Sequence, residues 1–194
     1  MCGLKGELHR SLQATRQALV SRLEGLGEYD LRRPMTPTGT NLLGLVKHMA
    51  DLEYIYLGAS FGRTLPPWDK SYPEAEMWVR PEESSQHILS LYQQACVHAD
   101  LTITQLGLDA PGSVAHWDED DRNTTLGAML VNMIWETAQH AGHADVIREL
   151  IDGRAGPDHD QVLTTAGWQN YLAQVQAAAD TFKSPLAPDR RACP

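Results

Sequence analysis

Leu4, Leu8, Leu12, Leu19, Leu23 and Leu26 recur at steps of four and three, with Thr15 at the vacant stripe position. That spacing gives side chains one shared face in an α-helix, whereas a strand would scatter them over both faces. Gly25 and Gly27 help to end the segment. The same period returns in Leu42, Leu45, Met49, Leu52 and Ile55, then in Ile88, Leu91, Ala95, Ala99 and Leu106, then along a run from Leu126 to Gly153. Thr40 or Asn41 can cap the second helix, Pro81, Glu82 and Glu83 suit the first turn of the third, and Asn123, Thr124 and Thr125 offer caps to the fourth. Thr164 or Thr165 opens a last helix through Trp168, Leu172 and Val175 to Phe182. There is no convincing β-rich alternation, internal repeat or low-complexity block. The expected fold is therefore all-α: an antiparallel bundle of four main helices with an additional C-terminal helix. The 194 residues fit one domain, expected over 1–183, with a loose tail over 184–194.

Apolar residues at 42% are enough to bury a core, and 16 Lys and Arg against 25 Asp and Glu give a net charge of −9. That balance repels phosphate backbones and anionic lipid, so neither a nucleic-acid nor a membrane partner is expected. Cys2, Cys96 and Cys193 form neither a disulfide framework nor a zinc ribbon, and no apolar segment is long enough for a secretory leader or a span. A cytoplasmic protein is expected. An exposed apolar face on the first or last helix would support a homodimer.

Two connections stand out. Residues 63–80 hold Pro66, Pro67, Trp68, Tyr72, Pro73 and Trp78, too proline-rich for a helix and too aromatic for a plain linker; they are expected to pack across a bundle end as a lid. Asp109 to Arg122, with Asp118, Glu119, Asp120 and Asp121, reads as a solvated polar loop.

The chemistry concentrates on the fourth long helix. Leu126, Met129, Met133, Glu136, His140, His143, Ile147 and Leu150 step by three and four, so they are expected on one face, polar in its middle. At about 100° per residue, His140 lies about 40° from Glu136 and His143 about 20° on the other side. His48 interrupts the second helix in the same way, between Leu45 and Leu52. A carboxylate and two imidazoles in an apolar seam need partners, and a divalent cation is a sufficient one. Two histidines and a carboxylate with open positions serve catalytic zinc and also non-haem iron. Zinc is the default, with nickel, iron or manganese as alternatives. The competing reading makes Glu136 and His140 an ordinary i, i+4 pair and His48 a hydrogen-bonded core histidine, in a seam that merely fixes helix register.

Glu83 and His87 repeat the spacing in a polar setting and read as solvent-facing, as do His9, His98, His116 and His159. Motifs of serine hydrolases, P-loop NTPases, dinucleotide enzymes and zincins are absent, as is the paired E-x-x-H of di-iron bundles.

Thr38 to His48 and Glu136 to Asp145 together resemble the DinB-like superfamily, in particular its mycothiol-transferase-like branch, and the similarity runs from about Leu4 to Gly153. Relatives of this kind are four-helix bundles with a divalent metal. The resemblance places the ligands at His48, Glu136 and His140; many relatives carry histidine at the position of Glu136, and the glutamate form is similar to mycothiol-dependent maleylpyruvate isomerase. It implies a metal-dependent thiol S-transferase or thiol-dependent isomerase that activates a low-molecular-weight thiol, mycothiol, against a small electrophile. In that scheme His143 orients a ligand or shuttles a proton, and Arg80 or Arg148 meets an anionic group of the cosubstrate. The alternative is a non-catalytic metal- or small-molecule-binding stress or resistance protein of the same fold.

Overall fold

Each stripe becomes a helix in the computed structural model, which describes residues 3–64, 77–154 and 163–183. In chain order these are α1 (Leu4–Ser21), the short α2 (Glu28–Arg32), α3 (Leu42–Leu57), α4 (Ser85–Gln105), α5 (Leu126–Asp152) and α6 (Thr165–Asp180). The expected caps form: Asn41 Oδ1 accepts from the Gly44 amide at 2.8 Å, Thr125 Oγ1 from Ala128 at 3.3 Å and Thr164 Oγ1 from Gly167 at 3.2 Å. α4 starts later than the proline suggested, with Ser84 Oγ accepting from His87. Gly153 ends α5 at φ +78°, a conformation that favours glycine.

The chain divides into two compact units, Met1–Arg154 and Ala155–Pro194. In the first, Leu12, Leu19, Leu45, Met49, Ile88, Ile103, Leu130 and Met133 form part of one fully buried core drawn from α1, α3, α4 and α5. The second holds α6, none of whose residues is buried and whose Tyr171, Leu172 and Val175 are exposed. Among the described residues no helix is long and apolar enough to cross a membrane. The expected lid residues 65–76, the tail 184–194, Cys2, Cys193 and His159 lie outside the described residues.

The antiparallel arrangement holds for α1 against α4, where Lys5 Nζ donates to Leu106 O at 2.6 Å and His9 bonds Asp100 at 2.8 Å. It holds too for α3 against α5, where His48 stands beside His140 and Tyr56 lies towards Glu136. α3 and α4 instead run parallel. Lys47 pairs with Glu83 at 2.8 Å near their starts, and Tyr54 lies 6.2 Å from His98 further along both. Before α4 begins, the chain at Met77 lies across the first turn of α3. Asn41 Nδ2 donates to Met77 O at 3.3 Å, and a Cβ at Gly44 would lie 2.0 Å from that same oxygen, so only glycine admits the crossing.

Three expectations change. The expected Asp109–Arg122 loop is mostly one hairpin with the residues that follow it, β1 (Pro111–Ser113) paired antiparallel with β2 (Asn123–Thr125), and it buries Val114 fully. Leu4 and Leu150 are exposed rather than in the stripe. His9 is buried, not on the surface. It belongs to a polar cluster between helices: Arg16 donates two bonds of 2.6 Å to the fully buried Glu53 and one of 2.7 Å to Asp100, which also meets His9. Burial alone would raise the Asp100 carboxyl, but the charge and bonds of Arg16, with His9, hold it below its ordinary value.

Candidate metal centre

Helical period alone delivers the cluster. Around the cluster the buried positions of α5 are Met133, Thr137, Ala141 and Ala144, so Glu136 and His140 fall on the shoulder of the core face and His143 is exposed. This corrects the expectation that the polar residues occupy the middle of the buried stripe. The shoulder leaves the His140 and Glu136 side chains 12% and 22% exposed, half withdrawn from water yet reachable from it. His48, on α3, meets His140 edge to face with ring centroids 5.0 Å apart. His140 Nε2 stands 3.7 Å from Glu136 Oε2, too long for a hydrogen bond, and the His143 ring centroid is 5.5 Å from that of His140.

Electrostatics suit neutral imidazoles. Burial pushes His140 down to about 4, helped by His48 and His143. Burial also holds His48 below its ordinary value against the pull of Asp51, and raises Glu136. Neutral imidazole is the form that donates a lone pair to a metal. Two nitrogens, Nδ1 of His48 and Nδ1 of His140, are buried with no hydrogen-bond partner. Each such orphan costs about 1–3 kcal/mol, so it calls for a partner.

Among the described residues, no group of three or more His, Cys, Asp or Glu side chains is arranged to hold a metal ion in the conformations seen here. The donor chemistry nevertheless fits a divalent ion: two neutral imidazoles with orphaned nitrogens, and a carboxylate at the end of a contact too long to be satisfied.

Arg148 is committed to another part of the bundle. Arg148 is buried about 12 Å along the helix axis from His140. Its guanidinium donates to the carbonyls of Arg22 and Glu24 at 2.8 and 2.7 Å and to Asp152 at 2.7 Å, tying the end of α1 to α5. Arg80 is exposed in the turn before α4, its amide donating to Glu83 at 2.8 Å and its carbonyl accepting from Arg32 at 3.1 Å.

Further residues near the cluster escaped the sequence reading. Asp51 acts on His48, and Tyr56, also on α3, lies within the field of Glu136. Asp51 stands three positions after His48, a spacing that could have revealed it. His116 and Trp117 come from the hairpin, with ring centroids 5.8 and 5.7 Å from Tyr56. No local pattern announces a contact across some sixty residues of chain. Cys96 sits apart, in the wall of the Arg16 cluster, where burial and the charge of Glu53 push its thiol up to about 12. Such a thiol is inert.

Comparison with known proteins follows the same lines. A family model described as mycothiol-S-transferase matches residues 7–153. A solved structure, "Crystal structure of the conserved protein of locus from Enterococcus faecalis", is similar in fold, with TM-score 0.57 and 15% identity over 79% of this chain and 100% of that one. No curated protein matches.

Proposed function

The chain belongs to the mycothiol-S-transferase family, a DinB-like family, and from that premise we propose that it is a divalent-metal-dependent thiol S-transferase acting on a small electrophile with mycothiol as the thiol. His48, Glu136 and His140 are the proposed ligands, for zinc first and for nickel, iron or manganese as alternatives. The observation that carries the reading is the pair of buried, unpartnered Nδ1 atoms of His48 and His140 beside the half-buried Glu136. A bound divalent ion supplies Lewis acidity that favours the thiolate form of a thiol at neutral pH.

The chain's own residues complete the chemistry. Glu136 brings one negative charge, which lowers the net charge of the site. His143, exposed beside His140, receives the proton that the thiol gives up and releases it to water. Leu52 and Met133, buried one turn from His48 on α3 and from Glu136 on α5, exclude water on the buried side. None of the three cysteines is required as nucleophile, and the inert Cys96 agrees with that.

The test is a rate measurement. Protein reconstituted with zinc is mixed with mycothiol and a panel of electrophiles, with glutathione and bacillithiol as comparison thiols. Acceleration over the protein-free rate with mycothiol, lost in Glu136→Ala and His140→Ala, supports the proposal. A zinc-loaded protein that accelerates no thiol transfer contradicts it.

A further inference from the structure

The outward side of α5 is largely apolar. Val131, Trp135, Val146 and Leu150 are each 55–61% exposed, with Ala138 and Gly142 between them. At about 100° per residue, Val131, Trp135, Ala138, Gly142 and Val146 fall within an arc of about 80°, Leu150 lies about 40° beyond it, and the fully buried Met133 stands opposite Gly142. Among the exposed residues of α5 one carries a charge, Glu149.

Nothing within one chain asks for glycine in this strip. A Cβ at Gly142 would meet nothing within 4 Å, and its backbone is helical, so neither space nor conformation excludes a larger residue. Glycine inside a helix is less favourable than alanine, because it loses more backbone freedom on folding. What it offers in return is the close approach of another backbone.

We infer that α5 docks antiparallel against α5 of a second copy of this chain, about a two-fold axis passing between Gln139 and Gly142. Such an interface requires one patch to complement itself. In this register Ala138, Gln139 and Gly142 of the two copies meet at the crossing. Trp135 of each copy faces Val146 of the other, Val131 faces Leu150, and Glu149 falls opposite Asn132 and not opposite another acid.

Charge and size favour this occupant. The chain carries a net charge of −9, so two copies repel wherever their acids meet, and the strip lets them touch with one carboxylate on each side. A basic partner would instead select a face lined with acids. From Val131 to Leu150 the strip runs about 29 Å along the axis. Its side chains offer roughly 500 Å² per copy, so the pair buries about 1,000 Å² in all, the size at which a specific interface begins. A reversible dimer of roughly micromolar affinity follows. His143 lies about 60° beyond Val146, at the edge of the strip. The second copy therefore reaches the margin of the candidate metal centre without covering Glu136 and His140, which lie further round.

Sedimentation equilibrium of the full chain, from low micromolar to hundreds of micromolar, is expected to show a rise from the 21.5 kDa of one chain to twice that mass. Trp135→Glu, at a residue 59% exposed in the single chain, is expected to keep the helical circular dichroism and to raise the dissociation constant about thirtyfold or more. Val146→Lys should act alike. An equimolar mixture of the two variants should associate at least about tenfold more tightly than either alone, because the register brings their opposite charges face to face. Gly142→Ala separates helix from interface: added to Trp135→Glu it should raise the unfolding midpoint by about 2–4 °C, and alone it should weaken the dimer about fivefold or more. A chain that sediments as a monomer over the whole range overturns the inference, whatever covers the strip. So does a dimer that Trp135→Glu and Val146→Lys leave intact, one that Leu172→Glu on α6 breaks in their place, or a mixture that associates no better than its parts.

Discussion

α3 carries two polar groups, the fully buried Glu53 and the half-buried His48, that face different neighbours and end differently. Glu53 looks towards α1 and α4, where Arg16 gives it two bonds of 2.6 Å, and Asp100 and His9 extend the cluster. His48 looks towards α5, where the nearest partners are another imidazole and a carboxylate, and its Nδ1 and that of His140 are left unpaired. Both clusters lie within the same bundle, and they differ in satisfaction as well as in burial: the first set closes on itself and holds helices together, whereas the second leaves two imidazole nitrogens without a hydrogen-bond partner.

Substitution separates the clusters most sharply. Arg16→Ala strands the fully buried Glu53 and is expected to destabilise the protein by about 3–5 kcal/mol in urea unfolding. His140→Leu removes an orphan and fills its place with apolar atoms, so the metal-free protein should change by no more than about 1 kcal/mol. An equal loss for both would erase the distinction.

Zinc added at one hundred times its dissociation constant should stabilise wild type by about 2.7 kcal/mol and leave His140→Leu unmoved, read as a shift in the unfolding curve. Arg16→Ala, where still folded, should keep the whole zinc response.

Acid tests the closed cluster from the other side. Asp100 is held below its ordinary value of 3.8, so its contribution is complete above that value and is lost as pH falls through the folded-state value. Wild type should therefore lose more stability than Asp100→Asn between about pH 5 and pH 3. Parallel curves would remove Asp100 from the account.

The smallest effect is at Cys96. Its thiol, pushed up to about 12, should react with a disulfide reagent only when the protein unfolds, and Cys96→Ala should keep full thiol-transfer rate.

Much of this was legible before any coordinates. Leucine spacing gave α1, α3, α4 and α5 because a buried stripe has one period, and the same period put Glu136 and His140 on one side of α5 with His48 in a matching seam. What stayed hidden depends on distant partners. His9 read as a surface residue because nothing within α1 names Asp100, and nothing there points from Arg16 to Glu53 either. The parallel course of α3 and α4 is set by where Met77 and Glu83 land, which periodicity does not encode. Strands of three residues are too short to alternate visibly, so the hairpin that brings His116 and Trp117 to Tyr56 looked like an acidic loop.

The central claim is that the open cluster is a metal site, and elemental analysis tests it most directly. Protein purified without a histidine tag or chelator is compared with the triple variant His48→Ala, Glu136→Ala, His140→Ala. The account predicts about one equivalent of zinc or another divalent ion in wild type and none in the variant. Equal metal content in the two, or none in either after reconstitution, would contradict it.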